Sequence, residues 1–466
     1  MRTCIILSLL LCSVRAMAER SDYIRPYPDN PRYWQYKGEP VLLLGGSKDD
    51  SPFQIPDLEP YLDELQAAGM NCVRNTMSDR KDHGFEVYPF KQLPDGRYDL
   101  DQWNEEYWSR FANCLKWCEE RDIIVQIEVW DRFDYSKEQW QASPWRPNNN
   151  INYTVVSSGL KNDYPQPAHR DEQPFFHSVE GMPLYTEELV AVRKYQERMV
   201  DKMLSIALKH PNVLFCMDNE TSTPVAWGEG WMKRITDAAR KAGTTVYVTD
   251  MFNDGYEPHR SAKVQHAIAT PDLYTFIDLS QVNSRVFNEE HWNRFIYAIK
   301  RLEENPRPLN LTKIYSDGET NWGSGTPKDG VERFWRSLIG GAAMCRFHRD
   351  GAGLGSNDIA KACIAAARKL ETHIKLWDIA PHMELLADRD TDEAYLAAKP
   401  GTAYALYFTD GGEVTLDLSQ HKGDFVLKWI NICTGEYGGE DTLNGGMPVS
   451  ITVPGEGGWV AVITRD

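Results

Sequence analysis

The sequence lacks several features that assign a chemistry to a protein directly. After residue 20, the 466-residue chain has no apolar stretch of the roughly 20 residues that a membrane-spanning helix needs. It contains neither the GxSxG motif of serine hydrolases nor the HExxH motif of zinc proteases. Its 11 histidines show no metal-ligand spacing. We therefore predict neither a metal nor a cofactor.

Positive charge is also in short supply. Lys and Arg number 51 against 68 Asp and Glu, so the formal net charge is -17. A chain this acidic repels nucleic acid and anionic membranes, and we expect neither as a partner. An anionic sugar is not excluded, because a few local Arg and Lys side chains can line a pocket.

Cysteines are too scattered for a disulfide framework. Two of the 9 lie within the first 12 residues, and the other seven form an odd set without regular spacing. No His or Cys cluster nearby completes a zinc site. We therefore expect small buried side chains at Cys72, Cys114, Cys118, Cys216, Cys345, Cys363 and Cys433.

The N-terminus has the parts of a secretory signal peptide. A short basic start precedes an apolar stretch over residues 4–14, which is too short to span a bilayer as a helix. Residues 16–18, Ala-Met-Ala, then match the A-x-A cleavage pattern. We predict that residues 1–18 are a signal peptide and that the protein is secreted or periplasmic.

From residue 41 to residue 374 the sequence repeats an apolar strand, a polar turn and an amphipathic helix. This alternation is typical of a parallel sheet with crossover helices. Eight such strands favour an α/β fold of the closed (β/α)8 TIM-barrel type over an open doubly wound sheet. The helix after the fifth strand has the weakest pattern. The predicted strands cover residues 41–44, 71–77, 123–130, 213–217, 245–249, 274–279, 313–316 and 344–347.

Residues 136–188 interrupt this rhythm between the third strand and its helix. They are rich in Pro, Asn and aromatic residues. A connection this long is usually functional or disordered, and its aromatic content argues against disorder. We expect the insertion to lie over the carboxyl ends of the strands, where barrel active sites are found. A closed pocket, and hence exo action or a short side-chain target, is then favoured over an open cleft.

After about residue 378 the apolar residues alternate with period two, and Gly and Asp turns separate the strands. This pattern is typical of an all-β module, here a small sandwich. We expect it mainly to pack against the barrel. The predicted domains are thus a barrel over residues 19–377 and a β-sandwich over residues 378–466. The predicted sandwich strands cover residues 404–409, 414–418, 425–431, 449–453 and 459–463.

Carboxylates follow two of the predicted barrel strands. The fourth strand runs into Asp218 and Glu220, and the seventh runs into Asp317 and Glu319. Hydrolysis of a glycosidic bond needs two carboxyl groups, one to protonate the leaving oxygen and one to attack the anomeric carbon or activate water. Their surroundings must separate their pKa values. A single acid at a strand end is also a common helix cap, so the pair carries the prediction.

These strand ends resemble those of the clan of retaining (β/α)8 glycoside hydrolases that includes cellulases, mannanases and β-galactosidases. The resemblance rests on Asn219-Glu220 after the fourth strand, Glu319 after the seventh, and Arg74-Asn75 on the second. It implies that Glu220 is the acid/base and Glu319 the nucleophile of a double displacement. It also implies that Asn219 binds the sugar 2-hydroxyl and that Arg74 keeps Glu319 ionised.

The resemblance covers roughly residues 25–375, and the sequence departs from the clan in its sixth strand. That strand lacks the usual tyrosine and ends in Asp278, Ser280 and Gln281. The C-terminal module resembles the small β-domains, sometimes labelled collagen-binding-like, that are appended to barrels related to apiosidases.

Two aspartates are alternative catalytic residues. Asp218 precedes Asn219-Glu220, and apiosidase-like relatives are proposed to use an aspartate as the acid. Because residues two apart on a strand point the same way, alternation does not separate Asp218 from Glu220. Asp317 competes with Glu319 for the same reason.

Further residues that follow the predicted strands are expected to bind the substrate. The two tryptophans among them are expected to stack on sugar faces. Glu128, on the third strand, is instead expected to point into the barrel or to pair with an arginine. The substrate-binding candidates are Arg74, Asn75, Trp130, Asp131, Asn219, Asp250, Gln281, Trp322 and His348.

We therefore predict a secreted glycoside hydrolase that cleaves O-glycosidic bonds of a poly- or oligosaccharide with retention. The alternative is a catalytically inactive carbohydrate-binding protein on the same barrel. That alternative predicts a missing catalytic carboxylate, whereas the sequence has both. A metal-dependent barrel enzyme predicts His and Asp ligands at strand ends, and the sequence does not show a convincing set.

Overall fold

The computed structural model describes residues 22–78, 80, 83–167, 170–316 and 322–465. The predicted signal peptide lies outside the described residues, and so do the candidates Asp317 and Glu319.

Eight parallel strands form a nearly closed barrel, which confirms the predicted fold class. Named β1 to β8 in chain order, they are Leu43–Gly46, Cys72–Thr76, Ile124–Asp131, Val213–Asn219, Val248–Thr249, Ile277–Asp278, Leu309–Ile314 and Met344–Phe347. Their spatial order is β5-β4-β3-β2-β1-β8-β7-β6. Each strand thus lies beside its neighbour in sequence, as right-handed crossovers through helices require.

The barrel seam lies between β5 and β6. Each of these strands has only two residues, although the sequence predicts longer ones. Thr275 joins the two sides: its N–H donates to the carbonyl of Val248 at 3.0 Å, and its Oγ1 accepts from the Val248 N–H at 2.7 Å. Tyr274 and Phe276 are buried here without a strand partner, so an apolar run overestimates the strand length.

A helix follows each barrel strand, including β5, where the sequence pattern is weakest. Named α1 to α8, the helices are Leu58–Ala67, Glu105–Glu120, Leu189–Ala207, Ala226–Lys241, Ala262–Ala269, Asn288–Arg301, Pro327–Ile339 and Asp358–His373. Capping side chains mark the N-terminal ends of α7 and α8. Thr326 and Asp329 form a capping box at the start of α7, and Asn357 caps α8.

A small antiparallel sheet closes the amino-terminal end of the barrel. Its strands are Arg25–Tyr27, Asn30–Tyr36 and Glu39–Val41. The buried indole of Trp34 donates to Oδ1 of Asn310, near the start of β7, at 2.9 Å. Because this end is filled, the open end is the one at the strand carboxyl termini.

The insertion packs beside the barrel mouth rather than across it. A two-stranded hairpin, Phe90–Gln92 and Tyr98–Trp103, lies next to it. The rings of Trp145 and Phe175 are buried against Trp130 of β3 at centroid distances of 6.2 and 5.4 Å. The described part of the insertion therefore packs on the carboxyl end of β3, where burial in this aromatic cluster removes its rings from solvent.

The C-terminal region consists of two facing antiparallel sheets, as the period-two pattern predicts. In spatial order, the larger contains Ala380–Pro381, Ala394–Lys399, Ala403–Phe408, Trp459–Arg465, Asp424–Asn431 and Tyr437–Asn444. The smaller contains Leu386–Ala387, Glu413–Asp417 and Pro448–Thr452. The sequence analysis missed Ala394–Lys399, whose run of small apolar residues is buried on both faces, and Tyr437–Asn444, which is polar and exposed.

The larger sheet packs on the barrel with one face and on the smaller sheet with the other. Along one strand, Leu396 faces the smaller sheet, whereas Tyr395 and Ala397 belong to the core shared with the barrel. Trp335 of α7 stacks on Tyr407 with ring centroids 5.7 Å apart. The two regions therefore share buried apolar surface, and the boundary at residue 378 remains a sequence prediction.

The cysteines are free thiols, and six of the seven described ones are buried, as expected. Cys433 is exposed, which contradicts the expectation for that residue, because it lies in a surface turn after Asp424–Asn431. None of the described helices combines the length and the apolar character that crossing a membrane requires.

Candidate active site

A cavity of about 780 Å³ lies at the carboxyl ends of the barrel strands. Small-molecule sites typically span roughly 300–1,000 Å³. Residues that follow each of the eight strands border this cavity, and none of the described residues of the insertion lines it. The sequence candidates that line it are Asn219, Glu220, Gln281, Trp322 and His348.

Glu220 directly follows β4 and has a strained backbone. Its φ is +62°, in the left-handed region that residues other than glycine rarely adopt. The next residue is anchored to the end of β5: the Thr221 N–H donates to the carbonyl of Met251 at 2.6 Å, and its hydroxyl donates to Asp250 at 2.6 Å. Strain of this kind persists only where neighbouring structure imposes it, and it is common at functional sites.

Three donors converge on one carboxylate oxygen of Glu220. Oε1 accepts from Lys313 Nζ at 2.7 Å, from the Tyr315 hydroxyl at 2.9 Å and from Gln281 Nε2 at 3.0 Å. Among the described residues, Oε2 has no donor. Burial alone would raise the pKa of this carboxyl, but the charge and hydrogen bond of Lys313 lower it below its usual value.

Lys313 and Tyr315 line the cavity and bind Glu220, and neither was among the candidates predicted from the sequence. Lys313 Nζ also donates to Oδ1 of Asn219 at 2.8 Å, and its side chain is only 1% exposed. Burial would lower its pKa, but the nearby Glu220 raises it, so the ammonium stays charged. A lysine inside the strand Leu309–Ile314, otherwise without charge, is the signal that could have identified this site.

Asp218 is bound to an arginine and does not reach the cavity. It is fully buried, and both its oxygens accept from Arg132, one from the backbone N–H at 3.2 Å and one from the guanidinium. Burial raises its pKa well above the usual value, although Arg132 opposes the shift. A raised pKa suits an acid, but a catalytic acid must first lie within reach of the substrate.

Arg74 is fully buried and pairs with acidic side chains of neighbouring strands. Its Nε donates to Glu128 at 2.5 Å, and another guanidinium nitrogen contacts Asp50. Glu128 therefore pairs with an arginine, as expected. Arg74 is not among the residues that line the cavity, and its expected partner Glu319 lies outside the described residues.

The cavity carboxylate Asp50 is paired with cations. Besides Arg74, it contacts Arg349 at 3.0 Å and His348 Nδ1 at 3.5 Å. Burial alone would raise the pKa of Asp50, but the positive charges of Arg74 and Arg349 lower it to well below the usual value. Among the described residues, no group of three His, Cys, Asp or Glu side chains is placed to hold a metal ion.

Two other substrate-binding candidates, Asn75 and Asp131, support neighbouring loops instead. Asn75 is fully buried, and its Oδ1 accepts from the N–H of Phe53 at 3.0 Å. Asp131 is bound by Arg80 and accepts from the N–H of Phe133 at 3.1 Å. Neither lines the cavity, and both side chains are instead bound to adjacent loops.

Trp130 and Asp250, two further substrate-binding candidates, are buried and do not line the cavity. Trp130 is 1% exposed within the aromatic cluster of the insertion, so its face is not available to a sugar. Asp250 is buried behind Glu220, where it accepts from Thr221. Burial raises the pKa of Asp250 to about 7. Both residues shape the site from behind the cavity wall.

Two further candidates, Trp322 and His348, face the cavity with an aromatic ring and a neutral imidazole. Trp322 is 42% exposed and presents an aromatic ring near Tyr315, with centroids 6.2 Å apart. His348 packs edge-on against Tyr315 at 4.7 Å, and burial lowers its pKa well below the usual value, so its imidazole is neutral. An exposed ring beside polar donors is typical of a carbohydrate site, where one face of the ligand is apolar and its edges are hydroxyls.

One sequence family matches part of the chain. Residues 90–255, which include Glu220, match the family described as Domain of unknown function (DUF6298). This is roughly a third of the chain. No curated protein sequence matches the chain significantly.

Solved structures match over nearly the whole chain at low identity. A glycoside hydrolase family 5 protein from Bacteroides vulgatus has a TM-score of 0.62 and 13% identity over 96% of this chain and 94% of that one. A second structure, named a glycoside hydrolase, has a TM-score of 0.62 and 12% identity over 96% and 97%. An α-amylase from Geobacillus thermoleovorans, complexed with acarbose, has a TM-score of 0.50 and 11% identity over 96% and 97%. The chain therefore has a barrel fold that is also found in glycoside hydrolases.

Proposed function

We propose that this protein is a glycoside hydrolase that cleaves O-glycosidic bonds of an oligo- or polysaccharide with retention. The observation that carries the proposal is the placement of Glu220, at the carboxyl end of β4, in a cavity large enough for a few sugar rings. One oxygen of its carboxylate is held by three donors, and the other has no donor among the described residues. The glycoside hydrolases that share the fold support the same reading.

The reaction needs a second carboxyl group, and we propose Glu319 from the sequence. Glu319 lies outside the described residues, but Tyr315 and Trp322, on either side of it in the chain, both line the cavity. Retention requires carboxyl groups about 5–5.5 Å apart, whereas inversion needs about 6.5–9.5 Å. One of the two must be ionised and the other protonated in the complex with substrate.

The remaining lining residues fit a sugar ligand. Trp322 offers a ring face, and Asn219 and Gln281 offer amide groups at the base of the cavity. We propose these residues as the binding site for the sugar next to the scissile bond.

The test is hydrolysis of a panel of aryl glycosides and of plant and algal polysaccharides. Wild type, Glu220→Ala and Glu319→Ala are compared with Glu120→Ala, a matched change at an exposed position on α2. We expect the wild type and Glu120→Ala to cleave at least one substrate at equal rates. Glu220→Ala and Glu319→Ala should each lose about 1,000-fold or more in kcat/KM. Equal activity of all four proteins would show that the carboxylate pair is misassigned.

One observation favours a second candidate, a carbohydrate-binding protein without activity. Among the described residues, β7 presents Lys313 and Tyr315, not a carboxylate, to Glu220. This candidate predicts that no glycoside is cleaved while a glycan still binds. Calorimetric titration of the wild type with the same oligosaccharides measures that binding, and Trp322→Ala should weaken it.

We further propose that the protein is secreted or periplasmic after removal of residues 1–18, which carry the signal-peptide pattern. N-terminal sequencing of the protein expressed from its full sequence tests this. The mature chain should begin at Glu19, and retention of Met1 would contradict the proposal.

A further inference from the structure

Asn219 and Glu220 are consecutive in the chain, yet their side chains reach the same ammonium group. Lys313 Nζ donates to Oδ1 of Asn219 at 2.8 Å and to Oε1 of Glu220 at 2.7 Å. Successive side chains of a regular strand point to opposite faces, and residues two apart point the same way. Alternation would therefore place Glu220 beside Asp218, which is fully buried against Arg132 and does not line the cavity.

The backbone of Glu220 breaks this alternation. β4 ends at Asn219, and the φ of Glu220 is +62°, in the left-handed region. This change of φ turns the Glu220 side chain from the face of Asp218 to that of Asn219, so that both Asn219 and Glu220 reach the cavity. For a residue with a Cβ the left-handed conformation is unfavourable, and the structure around it must hold it in place.

Thr221 holds the chain immediately after this turn. It is fully buried, and its three polar groups all bind the segment that follows β5. Its N–H donates to the carbonyl of Met251 at 2.6 Å, and its carbonyl accepts from the N–H of Asn253 at 3.1 Å. Its hydroxyl donates to Oδ1 of Asp250 at 2.6 Å. Most residue types could make the two backbone bonds, so the hydroxyl bond is the part that requires threonine or serine.

Asp250 is an unfavourable residue to bury at this position. It is 2% exposed, and its Oδ1 accepts from Thr221 and from the Met251 N–H at 2.9 Å. Its Oδ2 has no hydrogen-bond partner among the described residues and packs against Gly228 of α4, where a Cβ would collide with it. A buried carboxyl oxygen without a partner lowers stability, and its presence in a native protein needs a specific reason.

Ion pairing does not supply that reason. Within the part of the chain that the structure describes, no cationic side chain lies within salt-bridge distance of Asp250. The two cations that act on it from farther away are bound elsewhere. Arg132, after β3, pairs with Asp218, and Lys263 of α5 donates to the carbonyl of Ser222 at 2.5 Å. The role that remains for this carboxyl is to accept the hydroxyl bond described above.

We propose that Thr221 and Asp250 are positioning residues, and that the hydrogen bond between them holds the left-handed turn that places the Glu220 carboxylate in the cavity. Neither residue touches the substrate, and both act through Glu220. The inference rests on the proposed function, since it bears on catalysis only if Glu220 takes part in hydrolysis. It does not depend on which of the two carboxyl roles Glu220 has.

Loss of the hydroxyl bond should allow the turn to relax toward an extended backbone. The carboxylate would then move away from Lys313 and toward the face of Asp218. A misplacement of about 1 Å at a reacting group can cost roughly 100-fold in rate. Binding of the sugar should change much less, because the other residues that line the cavity stay in place.

Kinetics of threonine variants on a cleaved aryl glycoside test the hydroxyl. Thr221→Val keeps the shape of the side chain and removes the bond; we expect kcat to fall about 10- to 100-fold with KM within about 2-fold of wild type. Thr221→Ser restores the hydroxyl and should recover kcat to within about 3-fold. The control Thr409→Val removes an equally short hydroxyl bond, to the carbonyl of Asp392 at 2.6 Å, and should leave kcat unaltered. A wild-type kcat in Thr221→Val would overturn the proposal.

Variants of Asp250 test the acceptor. Asp250→Asn retains an oxygen for the Thr221 hydroxyl and should keep most of kcat, whereas Asp250→Ala removes it and should lose as much as Thr221→Val. Because both changes break the same bond, the double variant of Thr221→Val and Asp250→Ala should lose no more than the larger single loss. Losses that multiply would show that the two residues act separately, against the proposal.

The titration of Glu220 gives a readout that needs no substrate and that a merely structural role would not move. Carbon NMR of protein with labelled glutamate side chains follows its carboxyl, which is assigned by its loss in Glu220→Gln. We expect its pKa to lie below the ordinary value of 4.5 in wild type and to rise in Thr221→Val, as the carboxylate leaves Lys313. Thr221→Ser and Thr409→Val should keep the wild-type pKa, and an unchanged pKa in Thr221→Val contradicts the proposal.

The outcomes separate the inference from the proposed function. A wild type that cleaves nothing in the panel, with a raised Glu220 pKa in Thr221→Val, overturns the hydrolase and supports the role of the bond in holding the turn. An active wild type whose kcat and Glu220 pKa are both unaltered by Thr221→Val leaves the hydrolase standing and overturns the inference. A lowered kcat with a raised pKa, both recovered in Thr221→Ser, supports both.

Discussion

Lys313 on β7 and Glu220 after β4 form an ion pair across the mouth of the barrel, with Nζ and Oε1 2.7 Å apart. The two residues are separated by 93 positions in the chain. The pair joins β4 and β7, the two strands that the candidate carboxylates Glu220 and Glu319 follow in the chain.

Breaking this pair from either side should cost stability. We expect Lys313→Met and Glu220→Gln each to lower the free energy of unfolding, because each leaves a buried partner without its counter-charge. A double-mutant cycle should give a coupling energy of about 1–3 kcal/mol at pH 7. Denaturant unfolding of the four proteins measures it, and a coupling near zero would contradict the buried pair.

The contribution of the Lys313–Glu220 pair to the free energy of unfolding should depend on pH. Since the folded-state pKa of Glu220 is lowered, its contribution is complete above the ordinary value of 4.5 and is lost as pH falls through the folded value. The difference between wild type and Glu220→Gln should therefore be constant between about pH 6 and 8 and shrink below about pH 4. An increase at low pH would have the wrong sign.

The contribution of Asp250 to the free energy of unfolding should fall, not rise, with increasing pH. Its folded pKa is raised by burial to about 7, from an ordinary value of 3.8. The folded state therefore binds a proton that the unfolded state has lost, and stability falls as pH rises between these values. Asp250→Asn should gain about 2–4 kcal/mol relative to wild type between pH 4 and pH 8. Thermal unfolding at both pH values, with exposed Asp441→Asn as the control, measures this gain; a gain equal at both pH values would contradict it.

Trp322 should contribute to substrate binding more than to catalysis. Its ring is 42% exposed at the cavity, so its removal leaves little apolar surface unpacked. We expect Trp322→Ala to raise KM by about 5- to 20-fold with kcat nearly unchanged, as for loss of uniform binding. Tyr437→Ala, at an equally exposed ring in the C-terminal sheet, should leave KM unaltered. A fall in kcat alone would place Trp322 in the chemical step.

Trp335 should couple the barrel to the C-terminal sheets. Its fully buried ring stacks on Tyr407, and its truncation would leave a cavity between the two regions. We expect Trp335→Ala to cost about 3–5 kcal/mol. Tyr407→Phe is the matched control: its hydroxyl has no hydrogen-bond partner among the described residues, so its loss should be neutral or stabilising. Two separate unfolding transitions in wild type would contradict the coupling.

Regular elements were predictable where the local pattern and the tertiary environment agree. β8 is observed at Met344–Phe347, the predicted residues, and Asn357 caps the start of α8 at Asp358. β5 and β6 were predicted too long because an apolar residue at the seam is buried whether or not its backbone is paired. Backbone pairing depends on the neighbouring strand, which is distant in sequence.

The site was predictable only in part, for a similar reason. The motif after β4 identified Glu220, since the carboxyl end of a barrel strand is where catalytic groups lie. Asn75, Asp131 and Asp250 occupy comparable positions in sequence but turn toward other partners. A lysine near a strand end is usually solvated, so the sequence alone did not single out Lys313.

The barrel, the all-β region after it and the strand end that carries Glu220 were predictable from local patterns, because periodicity and helix caps act over a few residues. Tertiary structure decided which side chains meet. Closure of the barrel brings Lys313 and Tyr315 to Glu220, and packing of the insertion withdraws Trp130 from the cavity. Contacts of this kind depend on strand twist and on burial of surfaces far apart in the chain, which no local pattern records.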